Sequence, residues 1–302
     1  MKSKWLIYTT IVGFLGVSII GALWGFGIKS YHIQIPVKFG SASTPYADVE
    51  IEGKKYLLEF DLGSKFQLSL RKSFLEKIIK KEPHGIGEWK DINGNKYEAP
   101  SYLIPEMRIG DLILANVVVQ EDDDDFIFNA TMWDGENKGR DIVDKEQGVI
   151  GRPLLEKVNL LLDFGHSTIF ASNDKNKLKK AGYCLDHMTK VPFELGRMGI
   201  ILQVDTDIGI KRLSIDTGSS LNLIRSSLLK DHECQKGQYN IPFFITSKFI
   251  IGGEDFGSMC LHLHKITPEL NELDGFLGAP FLESHVLYID FPHKVVYIGN
   301  SK

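Results

Sequence analysis

Hydrophobic positions divide the chain into two unlike parts. Residues 5–28 carry no charge, an apolar run longer than the ~20 residues that cross a bilayer as a helix. Trp5, Tyr8 and Trp24 lie near its ends, where amphipathic rings suit the membrane interfaces. Beyond it, apolar residues come in short bursts such as Val117-Val118-Val119, Leu160-Leu161-Leu162, Phe249-Ile250-Ile251 and Leu287-Tyr288-Ile289. Bursts of this composition, bounded by Gly, Asn and Asp, are the pattern of strands. Only short helices are predicted, at residues 72–80 and 152–157, with counterparts at 226–230 and 279–284. The chain beyond the apolar run is predicted to be all-β apart from these.

The bursts occur twice in the same order. Gly148-Val149-Ile150-Gly151-Arg152-Pro153-Leu154-Leu155-Glu156 aligns without gaps to Gly275-Phe276-Leu277-Gly278-Ala279-Pro280-Phe281-Leu282-Glu283. The register continues through Leu162-Asp163-Phe164 and Ile289-Asp290-Phe291, each followed by a strand-like run. Upstream, Ile35-Pro36-Val37-Lys38-Phe39-Gly40 echoes Val191-Pro192-Phe193-Glu194-Leu195-Gly196. Self-similarity over this span marks a tandem duplication. The polar, Gly-ended stretch 173–182 reads as the linker between copies. The division is then a transmembrane segment at 1–30, a first lobe at 31–172, the linker, and a second lobe at 183–302. A chain of 302 residues allows each lobe its own core.

Inside each copy, an apolar strand ends in an Asp turn: Phe60-Asp61-Leu62-Gly63-Ser64 and Ile215-Asp216-Thr217-Gly218-Ser219. One such turn is ordinary. Two in matching contexts point to a pair of carboxylates. Carboxylates about 3 Å apart cannot both ionise, so the pair keeps one proton. The ionised member then activates a water and the protonated member polarises a carbonyl, which is general acid–base hydrolysis of an amide. Gly63 and Gly218 permit close backbone approach, and the hydroxyls of Ser64 and Ser219 are expected to bond the outer carboxylate oxygens.

With these motifs the chain resembles the aspartic peptidases of the pepsin-like and retropepsin-like superfamily, in the fused two-lobe form, over nearly all of residues 31–302. The Asp-Thr/Ser-Gly turn and the later apolar-apolar-Gly of that family match Asp61 with Val149-Ile150-Gly151 and Asp216 with Phe276-Leu277-Gly278. The resemblance implies two homologous acid-protease-like β-barrel lobes with a cleft between them. It also implies peptide-bond hydrolysis by Asp61 and Asp216, supported by Gly63, Ser64, Thr217, Gly218 and Ser219, on a protein or peptide substrate. No cofactor and no metal are expected. Leu62 stands where the family has Thr or Ser, so the cross-lobe hydroxyl network loses one side. The alternative this raises is a weak or inactive relative that binds peptides without cleaving them.

Other features change the picture less. Asn93-Gly94 predicts a two-residue hairpin turn, placed where a flap would cover the cleft, with Trp89 and Tyr97 as candidate substrate contacts. Glu121-Asp122-Asp123-Asp124-Asp125 lacks the ligand spacing of a calcium loop and reads as a solvated acidic loop. Asp163 and Asp290 are read as turn formers. His262 and His264 alternate without a third ligand. Cys184, Cys234 and Cys260 form no Cys-x-x-Cys pair. A net charge of −4 without a basic stripe argues against a nucleic-acid partner. Lys2 and Lys4 before the apolar run favour a cytoplasmic N-terminus with extracytoplasmic lobes. A cleaved signal peptide is the competing reading of that run. The catalytic unit is expected to be a monomer.

Overall fold

A computed structural model of the chain describes residues 30–40, 43–122, 147–230, 232, 234–236 and 241–301. The expected transmembrane helix lies outside the described residues, as do Asp123, Asp124 and Asp125 of the acidic run. Among the described residues, no helix is long and apolar enough to cross a membrane.

Eight strands of the first half form one sheet. Their order is Val37–Phe39, Pro45–Ile51, Lys54–Asp61, Gly148–Gly151, Leu68–Arg71, Leu112–Asp122, Lys96–Ile109 and Glu82–Lys90. Pairing of Val49 with Ile109 closes the sheet into a barrel. Strand Pro45–Ile51 buries every residue except Asp48 and Glu50, as a strand with one face on a core must. Strand Lys96–Ile109 is different along its length. Its first residues alternate between exposed and half-buried, while Ser101, Ile104, Met107 and Ile109 are buried, so its early part projects beyond the barrel with Glu82–Lys90 as a hairpin.

The second half repeats this scheme around Gly209–Ile215, Gly275–Leu277, Leu223–Arg225 and Met259–His264, neighbours in the same order as their counterparts. Its sheet of ten strands is an open path among the described residues rather than a second closed barrel. A third sheet draws on both halves. It runs His32–Ile35, Thr168–Ser172, Leu160–Asp163, His285–Asp290, Val295–Asn300 and Thr189–Pro192. Strands Leu160–Asp163 and His285–Asp290 meet antiparallel at its centre, Leu161 opposite Tyr288.

The short helices start where the pattern predicts them, as Lys72–Leu75, Arg152–Leu155, Ala279–Ser284 and a 3₁₀ turn at Ser226–Leu229, the first ending at Leu75 rather than at residue 80. The stretch read as a linker contains a further helix, Lys175–Lys180. Asp174 caps it by accepting from the Lys177 N–H at 3.0 Å, the usual role of an N-cap carboxylate. Leu178 anchors it among Leu161, Leu185, Val286 and Tyr288. One continuous apolar core joins residues of both halves and of the shared sheet.

Candidate active site

Each Asp turn is built on a parallel strand pair. Lys54–Asp61 runs beside Gly148–Gly151 with Asp61 opposite Gly151, and Gly209–Ile215 runs beside Gly275–Leu277 with Ile215 opposite Leu277. The apolar-apolar-Gly segments therefore pass directly alongside the Asp turns. Glycine is required there by contact. A Cβ on Gly151 would lie 1.9 Å from the Phe66 carbonyl oxygen, and one on Gly278 would lie 2.3 Å from that of Leu221.

The two turns, one from each half of the sequence, face each other. A Cβ on Gly63 would lie 2.6 Å from Asp216 Cγ, and one on Gly218 would lie 2.8 Å from Asp61 Cγ. Each glycine thus packs its backbone against the opposite carboxylate. The N–H of Gly63 donates to Asp61 Oδ1 at 2.7 Å and that of Gly218 to Asp216 Oδ1 at 3.0 Å. Asp61 and Asp216 also share a side-chain hydrogen bond. Asp61 is buried, and Asp216 is partly exposed.

Both carboxyls are pushed above the ordinary range. Burial is the main cause at Asp61, opposed by the N–H of Gly63 and the hydrogen bond from Asp216. Asp216 is raised well above, first by burial and then by the charge of Asp61. The two acids therefore titrate as a pair that keeps one proton in common.

Thr217 bonds to the turn of the other half. Its hydroxyl donates to the Phe60 carbonyl at 2.7 Å and accepts from the Leu62 N–H at 2.8 Å. Leu62 returns no such bond, and its side chain is fully buried in the core. Ser64 and Ser219 depart from expectation. Ser219 Oγ donates to the Leu221 carbonyl at 2.8 Å, and Ser64 Oγ accepts from the Phe66 N–H at 3.4 Å. Their hydroxyls brace the turn backbone, while their backbone N–H groups serve the carboxylates.

The hairpin Glu82–Lys90/Lys96–Ile109 reaches residues of the second half. Trp89 and Tyr97 face each other across it and stack at 5.4 Å, with Phe66 edge-on to Trp89 at 5.1 Å. At the tip, Ile92 packs beside a second-lobe cluster that includes Leu223, Ile266, Leu270 and Phe276, and its carbonyl accepts from the Thr267 N–H at 3.0 Å. Lys90 pairs with Glu269. The Arg225 guanidinium organises that receiving loop by donating to the carbonyls of Ile266, Thr267, Leu270 and Leu273.

Sequence reading misses Ile92, Thr267, Glu269 and Arg225, because nothing local marks a partner that distant. It also misses Arg152, a buried cation whose position directly after Gly151 was the available signal. Arg152 pairs with Glu156 at 2.8 Å and its guanidinium reaches the Gly196 and Arg197 carbonyls at 3.4 Å. Asp163 and Asp290 lie away from the dyad, each accepting from the histidine three residues on.

No family model matches the sequence, and no curated protein matches it. Solved structures do. The aspartic proteinase from Irpex lacteus superposes with a TM-score of 0.58 at 14% identity, covering 89% of this chain and 97% of that one. The chain has the aspartic-proteinase fold. Basic 7S globulin from soybean shares it as well, with a TM-score of 0.58 at 10% identity over 90% of this chain and 95% of that one. At such identities the likeness concerns the aspartic-proteinase fold alone, and the chemistry must be argued from the residues.

Proposed function

We propose that the protein is an aspartic endopeptidase that hydrolyses peptide bonds between Asp61 and Asp216. The observation that carries this reading is the crossed packing of Gly63 and Gly218 against the opposite carboxylates, which holds two acids in one proton-sharing unit. In this mechanism the ionised member of the pair takes a proton from water while the protonated member donates to the carbonyl oxygen of the scissile amide. The tetrahedral intermediate then collapses as a proton passes to the leaving nitrogen. An extended substrate would lie under the hairpin, beside Trp89 and Tyr97, and pair with main chain. The apolar run at residues 5–28 would tether the enzyme to a membrane, with the lobes extracytoplasmic; retention in the pellet after alkaline carbonate extraction tests that arm.

A second reading, a peptide-binding relative without turnover, is favoured by the buried Leu62. One experiment separates the two. A peptide library is incubated with the full chain from about pH 3 to about pH 7, the range of coupled carboxylates, beside Asp61→Asn and Asp216→Asn. Cleavage lost in both variants supports the hydrolase. Folded wild-type protein that binds peptides and cleaves none at any pH supports the binder.

A further inference from the structure

Lys65 directly follows the first Asp turn, and its ammonium sits where three elements converge. Its Nζ donates to the Lys90 carbonyl at 3.4 Å, at the end of the hairpin strand. Arg197, on the turn between second-lobe strands Glu194–Gly196 and Gly199–Thr206, is close enough to act on its charge. That turn lies against the catalytic loop, since a Cβ on Gly199 would come within 3.3 Å of the Leu62 carbonyl oxygen. The loop that carries Lys65 thus lies against the second-half turn, and the hairpin meets its head group.

The charges at this corner do not balance. Lys90 is answered by Glu269, and Arg197 by Glu272 at 3.7 Å. Lys65 has no carboxylate within ion-pair distance among the described residues. Its side chain is half-buried, and burial and then Arg197 both lower its affinity for a proton. An ammonium has three donors, and here the protein supplies one long bond to a carbonyl and the face of the Phe66 ring, whose centroid lies 5.8 Å from Nζ. A partly desolvated cation without a counter-ion is costly to keep, and a bound anion relieves that cost. The Phe66 ring beside Nζ is edge-on to Trp89, which stacks on Tyr97, so this side is apolar and an ionic contact against it is less screened than in open water.

We propose that Lys65 is a specificity-determining residue that receives a carboxylate of the bound peptide, between the hairpin and the second-lobe turn. This rests on the cleft being the substrate site. The carboxylate is either an acidic side chain or a free C-terminus, and the test separates them.

Binding is measured to the full chain carrying Asp216→Asn, so that cleavage does not intervene. One peptide series has blocked termini and members differing only as Glu or Gln at a scanned position. A second lacks acidic residues and differs only as free acid or amide at the C-terminus. The charged member of one series is expected to bind about tenfold more tightly, the scale of one charge-assisted hydrogen bond. Lys65→Met should abolish that difference and Lys65→Arg should retain it. Equal binding within both series, or a difference that survives Lys65→Met in folded protein, overturns the proposal. Charge-dependent binding through Lys65 by a wild-type protein that cleaves nothing upholds it while overturning the hydrolase reading.

Discussion

At the scale of single residues, the hydroxyl of Thr217 holds the opposite turn at two points, Phe60 and Leu62. Thr217→Val leaves a buried carbonyl and N–H unpaired, so a loss of about 1–3 kcal/mol is expected in denaturant unfolding. If the chain is a hydrolase, kcat should fall more than KM rises, because what is lost is dyad alignment. Gly63→Ala acts on the other carboxylate. The added methyl occupies space within 2.6 Å of Asp216 Cγ, and a displacement of this size should cost about 10²-fold in kcat/KM. The dyad also makes stability depend on pH. Asp216 binds its proton more tightly folded than unfolded. Its contribution is therefore fully present below the ordinary carboxylate range and is lost as pH rises through its raised value. As pH rises above the ordinary carboxylate range, wild-type Tm should therefore fall relative to that of Asp216→Asn. The turns themselves were legible in the sequence because their demands are local: Asp, then Gly, then a small hydroxyl residue. The bonding of Ser64 and Ser219 was not, since several acceptors lie within reach of a short hydroxyl and only the folded turn selects one.

At the scale of elements, the hairpin is the most informative. Asn93-Gly94 correctly announces a turn, but not the two-residue form with positive φ at both positions. Gly94 alone adopts positive φ, at 92°, and its N–H closes onto the Asp91 carbonyl at 3.0 Å. Asp91 Oδ1 accepts from the N–H groups of both Asn93 and Asn95, which stabilises a type I turn followed by a left-handed glycine. A pattern of residue types does not register that side-chain acceptor. Nor does it register the dock on the second half, where the bond from Thr267 comes from its backbone N–H. Thr267 has φ −56°, a value proline tolerates. Thr267→Pro should therefore remove the bond to Ile92 without straining its own φ. Faster amide hydrogen exchange across residues 91–97 is the expected outcome, with the barrel strands unchanged.

At the scale of the molecule, one core runs through both halves, and a single cooperative unfolding transition is expected. Calorimetric and van't Hoff enthalpies that agree would verify it. The halves are tied at the shared sheet by Tyr288, whose hydroxyl donates to the Ser172 carbonyl at 3.1 Å and accepts from Asn159 Nδ2 at 3.0 Å. Tyr288→Phe should lower the stability of the whole by about 1–3 kcal/mol, without splitting that transition. The duplication was legible, because Gly148 and Gly275 answer the same steric constraint in each copy. The joint sheet was not, because the closing strands carry no mark of which edge they will meet.

The register of that joint has a consequence of its own. The offset that carries Gly148 to Gly275 also carries Leu161 to Tyr288, and these two stand opposite one another, with Leu160 facing Ile289 and Leu162 facing Leu287. Each strand therefore pairs with its own counterpart about a local two-fold axis, an isologous contact inside a single polypeptide. A single-repeat chain with the same closing strand already possesses the geometry of a homodimer, whose two copies would each bring one Asp turn to a common axis. Fusion frees the copies from that identity: Leu62 and Thr217 can differ, and one half can carry the long hairpin while the other supplies the surface that receives it.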